Sequence, residues 1–399
     1  MNRGTFYSQT IFRGTLPQKK SKSIYIYVEQ SNEWRSPLYL VFIDFKRAFD
    51  SLSHRSIIST LVSRGVPRKI TNLIASLYQN SQCRVFHQGN IGDPILVNTG
   101  VKQGCLLSPL LFILDLDSVM LKATREERGI RWGLHGRLED LDYADDICLM
   151  THSHNDMQAK LDQIATEAAA VGLEINVSKT KALRIGTINA SPFHVFDQTI
   201  QDVEQFCYLG SIISKDGGSI SDVKARIGKA SAAFSSLRNV WKSSHYTNAS
   251  KIKLFNTNVK SILLYGCETW KVTKELTNKL QVFINGCLRK IFRIFWPEVI
   301  TNTELLRVAK QVDIGLDIRK RKWNWVGHIL RRPDTNIPKM ALDWNPQGSR
   351  PRGRPKLTWK RSILSEAKTI GKTWSEMKAL AQNRVRWRHT IEALCSTGE

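Results

Sequence analysis

The sequence predicts an α+β fold, with an antiparallel sheet backed by helices in the first half of the chain and helices alone in the second. Short β-prone runs such as Tyr39-Leu40-Val41-Phe42-Ile43 and Ile147-Cys148-Leu149-Met150 are interleaved with helical stripes as far as residue 216. After Gly217-Gly218 the apolar residues recur only at steps of three and four. Residues 301–399 carry 21 Lys and Arg against 9 Asp and Glu, half of the chain's net charge of +24, which marks a separate basic region.

Taken in order, residues 1–24 show no clear period and contain the basic run Lys19-Lys20-Ser21-Lys22. Ile24-Tyr25-Ile26-Tyr27-Val28 and then residues 39–43 are β-prone, the second run leading directly into Asp44. Ile57, Ile58 and Leu61, with Gly65 just beyond, predict a helix over 51–64. Residues 138–150 read as a hairpin whose turn presents Asp145 and Asp146. A helix capped by Asn155 and stopped by Gly172 carries the stripe Met157, Leu161, Ile164, Ala165 and Ala168. Three amphipathic helices follow, through Ile220 to Trp241, Ile252 to Leu263, and Leu276 to Phe295.

A chain of 399 residues can bury a sizeable core and divides into two or three domains. The charge of +24 calls for a polyanionic partner, since phosphate backbones relieve self-repulsion on that scale. No apolar stretch approaches a membrane span and the N-terminus has no signal-peptide core, so a membrane role and secretion are not expected and an intracellular location, nuclear or cytoplasmic, is. Seven scattered cysteines read as reduced thiols, and no Cys-x-x-Cys pair suggests zinc. In the last quarter, cations alternate with indoles around Trp323, Trp325 and Trp387, a pattern that tracks phosphates and stacks on bases. The hexamer Arg350-Pro351-Arg352-Gly353-Arg354-Pro355 is similar to an AT-hook core, and a solvated basic linker is the equal alternative.

Two acidic segments carry the chemistry. Phe42-Ile43-Asp44 precedes Lys46-Arg47-Ala48-Phe49-Asp50, and Tyr143-Ala144-Asp145-Asp146 lies about a hundred residues on. Carboxylates at the edge of apolar runs are costly to desolvate unless a cation meets them, and a hard divalent ion with oxygen ligands does so. Between them stands Gly100-Val101-Lys102-Gln103-Gly104-Cys105-Leu106-Leu107-Ser108-Pro109, and after them come Gly172-Leu173-Glu174-Ile175-Asn176 with Lys179-Thr180-Lys181, then Phe206-Cys207-Tyr208-Leu209-Gly210. Five motifs in this order resemble those of the reverse transcriptases of non-LTR (LINE-type) retrotransposons.

The resemblance implies a polymerase right-hand palm over 25–216 with partial fingers, a helical thumb over 217–300 and a basic C-terminal nucleic-acid-binding region over 301–399, after a poorly ordered remnant over 1–24. It implies RNA-directed DNA synthesis by two-metal nucleotidyl transfer, with an RNA template, a DNA primer and deoxynucleoside triphosphates as partners. Asp44 and Asp145 would bridge two Mg2+ ions, for which Mn2+ can substitute, and Asp146 would complete the cluster. Phe49 stands where the family keeps a bulky residue against the ribose 2′-hydroxyl. Gln103 and Gly104 fall near the incoming nucleotide, and Lys179, or alternatively Lys181, would protonate the leaving pyrophosphate. Asp50 is read as a helix cap. Only 43 residues precede Asp44, so a 5′-truncated element without complete fingers or an endonuclease is expected. A catalytically silent nucleic-acid-binding remnant and a protein resembling group II intron maturases remain as alternatives.

Overall fold

The computed structural model describes residues 17–132, 136–346 and 348–396. Two compact units emerge, one containing Arg35–Phe206 and the other Ser21–Trp34 with Cys207–Glu399. In chain order the elements used below are helix α1 (Pro17–Trp34), strand β1 (Leu38–Ile43), α2 (His54–Ser63), α3 (Arg68–Tyr78), α4 (Ser108–Ala123), β2 (Asp140–Tyr143), β3 (Asp146–Thr151), α5 (His154–Ala170), β4 (Lys181–Ile185), β5 (Phe193–Val195) and β6 (Gln198–Asp202). They continue with α6 (Ile220–Ser236), α7 (Arg238–Lys242), α8 (Asn248–Leu254), α9 (Lys274–Phe292), α10 (Asn302–Val308), α11 (Ile314–Leu330), α12 (Ile337–Asp343), α13 (Trp359–Thr369), α14 (Trp374–Gln382) and α15 (Arg384–Ser396).

The first unit is built on a six-stranded sheet in the order β5-β6-β4-β1-β3-β2. β1 pairs antiparallel with β3 on one side and β4 on the other, and β4 with β6 is the parallel pair. Tyr39, Val41 and Ile43 of β1 enter a core with Ile147 and Leu149 of β3 and with apolar residues of α2, α4 and α5, among them Leu61, Phe112, Leu116, Leu161 and Ile164. The alternate side chains Leu40, Phe42, Cys148 and Met150 are also buried, and Phe42 stacks on Phe206 at 4.4 Å. Burial on both faces explains why these strands read as continuous apolar runs.

One ion pair fastens α5 to the β2–β3 hairpin. Lys160 Nζ lies 2.5 Å from Glu139 Oε2, both side chains 1% exposed. The ammonium also donates to the carbonyls of Glu139 and Met150, and the Glu139 carboxylate accepts the backbone N–H of Arg128 and Gly129. The ammonium thus has three acceptors and both carboxylate oxygens have donors, which is the condition under which a buried pair holds.

In the second unit, α6, the residues around α8 and α9 share a core containing Val223, Phe234, Trp241, Phe255, Leu263, Leu280 and Leu288. Leu305, Ala309, Ile314 and Ile318 lie in the same core, Lys260 pairs with Asp317 at 2.8 Å, and the Ile314 N–H donates to Gln281 Oε1 at 2.9 Å. Residues from 301 onward are thus continuous with the preceding helices rather than a separate module. The indoles of the basic stretches are interior: Trp323, Trp325 and Trp387 are buried, with Trp323 donating to Glu366 and Trp387 donating to the Trp323 carbonyl. The expectation that they stack on bases is therefore withdrawn. Helical periodicity separates neighbours in sequence, so the cations face outward or pair, as Lys322 does with Glu366, while the rings point in.

Residues 24–28 are helical rather than extended. Within α1, Ile24 through Ser31 are all buried, and a helix buried all round shows no polar face by which sequence could tell it from a buried strand. Three charged residues fix this helix inside its unit. Lys22 pairs with Glu268 at 2.9 Å, Glu33 receives Arg350 and Arg361, and both Glu29 oxygens accept the N–H of Trp359 at 2.7–2.8 Å, at the start of α13. A smaller difference concerns α5, which is capped by Ser153 accepting from the Asp156 N–H, two residues before the expected Asn155.

Replacing Lys160 with methionine should strand the Glu139 carboxylate and cost about 3–5 kcal/mol, read as a lower denaturation midpoint of the sheet unit. Burial pushes the Glu29 carboxyl up from 4.5 to about 7. The folded chain therefore retains a proton there that the unfolded chain releases, so stability is lost as pH rises from 4.5 to about 7, by about 3 kcal/mol in total. Glu29→Gln should remove this component of the pH dependence, measured as the difference between wild-type and variant urea midpoints at pH 5 and pH 7.5.

Candidate active site

Antiparallel pairing brings the acidic segments together. Ile43 lies opposite Ile147, and the same register continued by one residue sets Asp44 beside Asp146. Asp146 pairs with Tyr143, so β2 and β3 are joined by only Ala144 and Asp145. Ala144 has φ 55, a left-handed conformation that costs a residue with a Cβ about 1–2 kcal/mol. Such strain is retained where the surroundings over-determine it, and here it sits on the turn that presents Asp145.

The Asp44 backbone is clamped from a second direction. Its N–H donates to Thr180 Oγ1 at 3.3 Å and its carbonyl accepts the Asn176 N–H at 2.8 Å. The turn between these contacts places Lys179 Nζ 3.6 Å from Asp44 Oδ2. Lys181 instead donates to the Ser178 carbonyl and Gln201 Oε1, so the geometry puts Lys179 beside Asp44. Asp44 Oδ2 is shut off from solvent and accepts no hydrogen bond, although the side chain as a whole is 44% exposed. Asp146 is raised above the usual carboxylate range, first by desolvation and then by the charges of Asp145 and Asp44. The three carboxylates thus feel one another, yet in this conformation no three acidic, His or Cys groups among the described residues converge into a finished ligand set.

A second layer forms from the two motifs around residues 49 and 103. Phe49 is half-buried and stacked on Phe112 of α4 at 4.6 Å. Gln103 Nε2 donates to Asp50 Oδ1 at 2.9 Å, and the N–H groups of Gly100 and Val101 donate to the carbonyls of Leu52 and Phe49, both at 2.7 Å. Asp50 therefore anchors Gln103 and does not cap the next helix; Ser53 precedes α2. Gly104, with φ 85, has open space where a Cβ would stand. Gly100 is different, because at φ 87 a Cβ there would lie 2.7 Å from the Asp50 backbone.

The sequence reading assigned no role to Thr180, Asn176 or the Gly100 contact. Thr180 lies fully buried between Lys179 and Lys181, and a lone hydroxyl flanked by cations gives no sign in sequence that it holds a distant aspartate.

A family model described as reverse transcriptase (RNA-dependent DNA polymerase) matches residues 7–213, and one described as a domain of unknown function matches residues 233–265. The chain belongs to the reverse transcriptase family, in the branch carried by non-LTR retrotransposons. Its sheet-and-helix unit and helical remainder are consistent with a polymerase fold. Among curated proteins it is 29% identical to a putative uncharacterized transposon-derived protein of Caenorhabditis elegans, across 65% of this chain and 97% of that one. It is 33% identical to the Pol polyprotein from the type-1 retrotransposable element R2 of Nasonia vitripennis, across 45% of this chain but 18% of the polyprotein. The probable RNA-directed DNA polymerase from transposon BS of Drosophila melanogaster is 26% identical, with 63% of this chain and 28% of that protein covered. The chain thus spans less than a third of the length of these two element-encoded proteins. A solved structure of apo telomerase from Candida tropicalis is also similar, at 15% identity and a TM-score of 0.43, covering 98% of this chain and 58% of that one. No helix among the described residues is long and apolar enough to cross a membrane.

Gly100→Ala should destabilise the first unit by at least about 2 kcal/mol, combining the steric overlap with a forbidden φ, and a melting temperature unchanged from wild type would show that the 99–103 segment can move away.

Proposed function

We propose that this chain is the polymerase portion of an RNA-directed DNA polymerase that copies an RNA template from a DNA primer. The observation that carries the reading is the register that sets Asp44 beside Asp146 with Asp145 in the adjoining turn, leaving Asp44 Oδ2 dehydrated and without a hydrogen bond. Lys179 Nζ, 3.6 Å away, is the cation now facing this oxygen, and the Asp146 carboxyl is raised first by desolvation and then by the charges of Asp145 and Asp44, an environment that a divalent cation would favour. Asp44, Asp145 and Asp146 are the residues to hold Mg2+, or Mn2+ in its place, which would supply Lewis acidity at the primer hydroxyl and at the triphosphate.

The protein's own groups do the rest. Lys179 would give a proton to the departing pyrophosphate oxygen, a reading supported by its position 3.6 Å from Asp44. Phe49, backed by Phe112, is a rigid ring suited to exclude a ribose 2′-hydroxyl and so favour deoxynucleotides. Gln103 is oriented through Asp50, and the open space at Gly104 admits a nucleotide close to the backbone. In the second unit, the exposed loop 349–357 presents Arg352, Arg354 and Lys356 while Arg350 is tied to Glu33 and lies 4.1 Å from the Trp34 ring, which supports a phosphate-facing role for that loop.

Primer extension on an RNA template tests the reading. Asp145→Asn should lower the rate at least about a hundred-fold and weaken Mn2+ binding measured by calorimetry. Lys179→Ala should lower kcat about a hundred-fold while leaving Mn2+ binding in place. Equal Mn2+ binding by wild type and Asp145→Asn, with no template-directed extension by either, overturns the assignment.

A further inference from the structure

The indoles expected to meet bases are buried, but another aromatic pair is held out in the solvent. Trp296 is 89% exposed and Phe295 is 60% exposed, in the segment between α9 and α10. Large apolar rings normally fold inward, and here the chain prevents it. Ile294 and Ile300 pack against the helical core on either side, the Ile294 N–H donates to the Arg289 carbonyl at 2.9 Å, and the Glu298 N–H closes a turn on the Phe295 carbonyl at 2.9 Å. The Arg289 guanidinium further ties the loop through the Ile300 carbonyl and Asn302 Oδ1. With both ends pinned and the turn closed, Trp296 is left facing solvent and Phe295 is left mostly exposed beside it.

Their surroundings are cationic. Residues 289–300 contain Arg289, Lys290 and Arg293 against the single carboxylate Glu298. Arg293 follows α9 at φ 59 and donates to the Lys242 carbonyl, which brings the exposed Lys242 to the same place. Exposed rings in a segment rich in exposed cations fit a polyanion whose subunits have flat apolar faces.

We propose that Phe295 and Trp296 form a stacking platform for unpaired bases of a single-stranded nucleic acid, whose phosphates meet Lys290, Arg293 and Lys242. This rests on the nucleic-acid reading above and adds to it a specific contact for single strands. A duplex offers no free base face along its length, whereas an unpaired template or displaced strand does.

The test uses the full chain and a fluorescent 12-nucleotide single-stranded RNA, without metal, followed by anisotropy over a range of salt. Trp296→Ala should weaken binding about ten-fold, Trp296→Phe should recover most of the loss, and the slope of log affinity against log salt should not change, since stacking releases no counter-ions. Lys290→Ala should instead flatten that slope by about one unit. A blunt duplex of the same length should lose less than three-fold on Trp296→Ala. Unchanged single-strand affinity in Trp296→Ala, an equal loss on both substrates, or a change only in self-association would overturn the platform, the last because it would make the rings a contact between two copies of this chain. Failure of the wild type to bind any oligonucleotide would instead overturn the nucleic-acid reading on which it rests.

Discussion

Strand β1 is hydrogen-bonded along both edges, and its antiparallel register with β3 is the constraint on which the catalytic reading depends. Side chains alternate across a strand, so a slip of one residue would move Val41 and Ile43 onto the face now filled by Leu40 and Phe42 and separate Asp44 from Asp146. Burial on both faces makes such a slip expensive. The buried Lys160–Glu139 pair adds a second lock by holding the β2–β3 hairpin against α5, and the Thr180 and Asn176 contacts hold Asp44 from the β4 side. The backbone that carries the acidic residues is therefore positioned by packing and hydrogen bonds, and Lys179 stands beside the Asp44 carboxylate.

Close backbone approaches serve the same end around Phe49 and Gln103. Gly100 lies against Asp50, and Gly172 lies against Ser51, where a Cβ would stand 2.7 Å from the carbonyl oxygen. Two glycines thus let loops distant in sequence lie flat on the short stretch that follows Asp44. The cost is borne by backbone freedom in the unfolded chain, and the return is a set of side chains whose mutual positions are fixed before any ligand arrives.

The second unit is organised around a helix supplied from far earlier in the chain. α1 is buried along most of its described length, and its charged residues Lys22, Glu29 and Glu33 reach Glu268, Trp359, Arg350 and Arg361. Because these contacts span from 246 residues, between Lys22 and Glu268, to 330, between Glu29 and Trp359, they close only when the chain between them has folded. The basic residues that stood out as a tract are distributed by the helices, some to ion pairs and some to the surface.

The ordered motifs were enough to determine the α+β class, the polymerase family and the acidic turn, because strand alternation, turn residues and motif spacing are local properties that the chain carries in one dimension. Asp44, Asp145 and Asp146 could be picked out for the same reason. Tertiary structure alone decided that residues 24–28 are helical, that Trp323, Trp325 and Trp387 are interior while Trp296 is not, that Asp50 holds Gln103, and that Lys179 rather than Lys181 stands beside Asp44. Each of these turns on which face of an element meets a partner tens to hundreds of residues away or on where a pinned loop can point. Local sequence does not encode that, because burial is a property of the neighbours a residue acquires on folding.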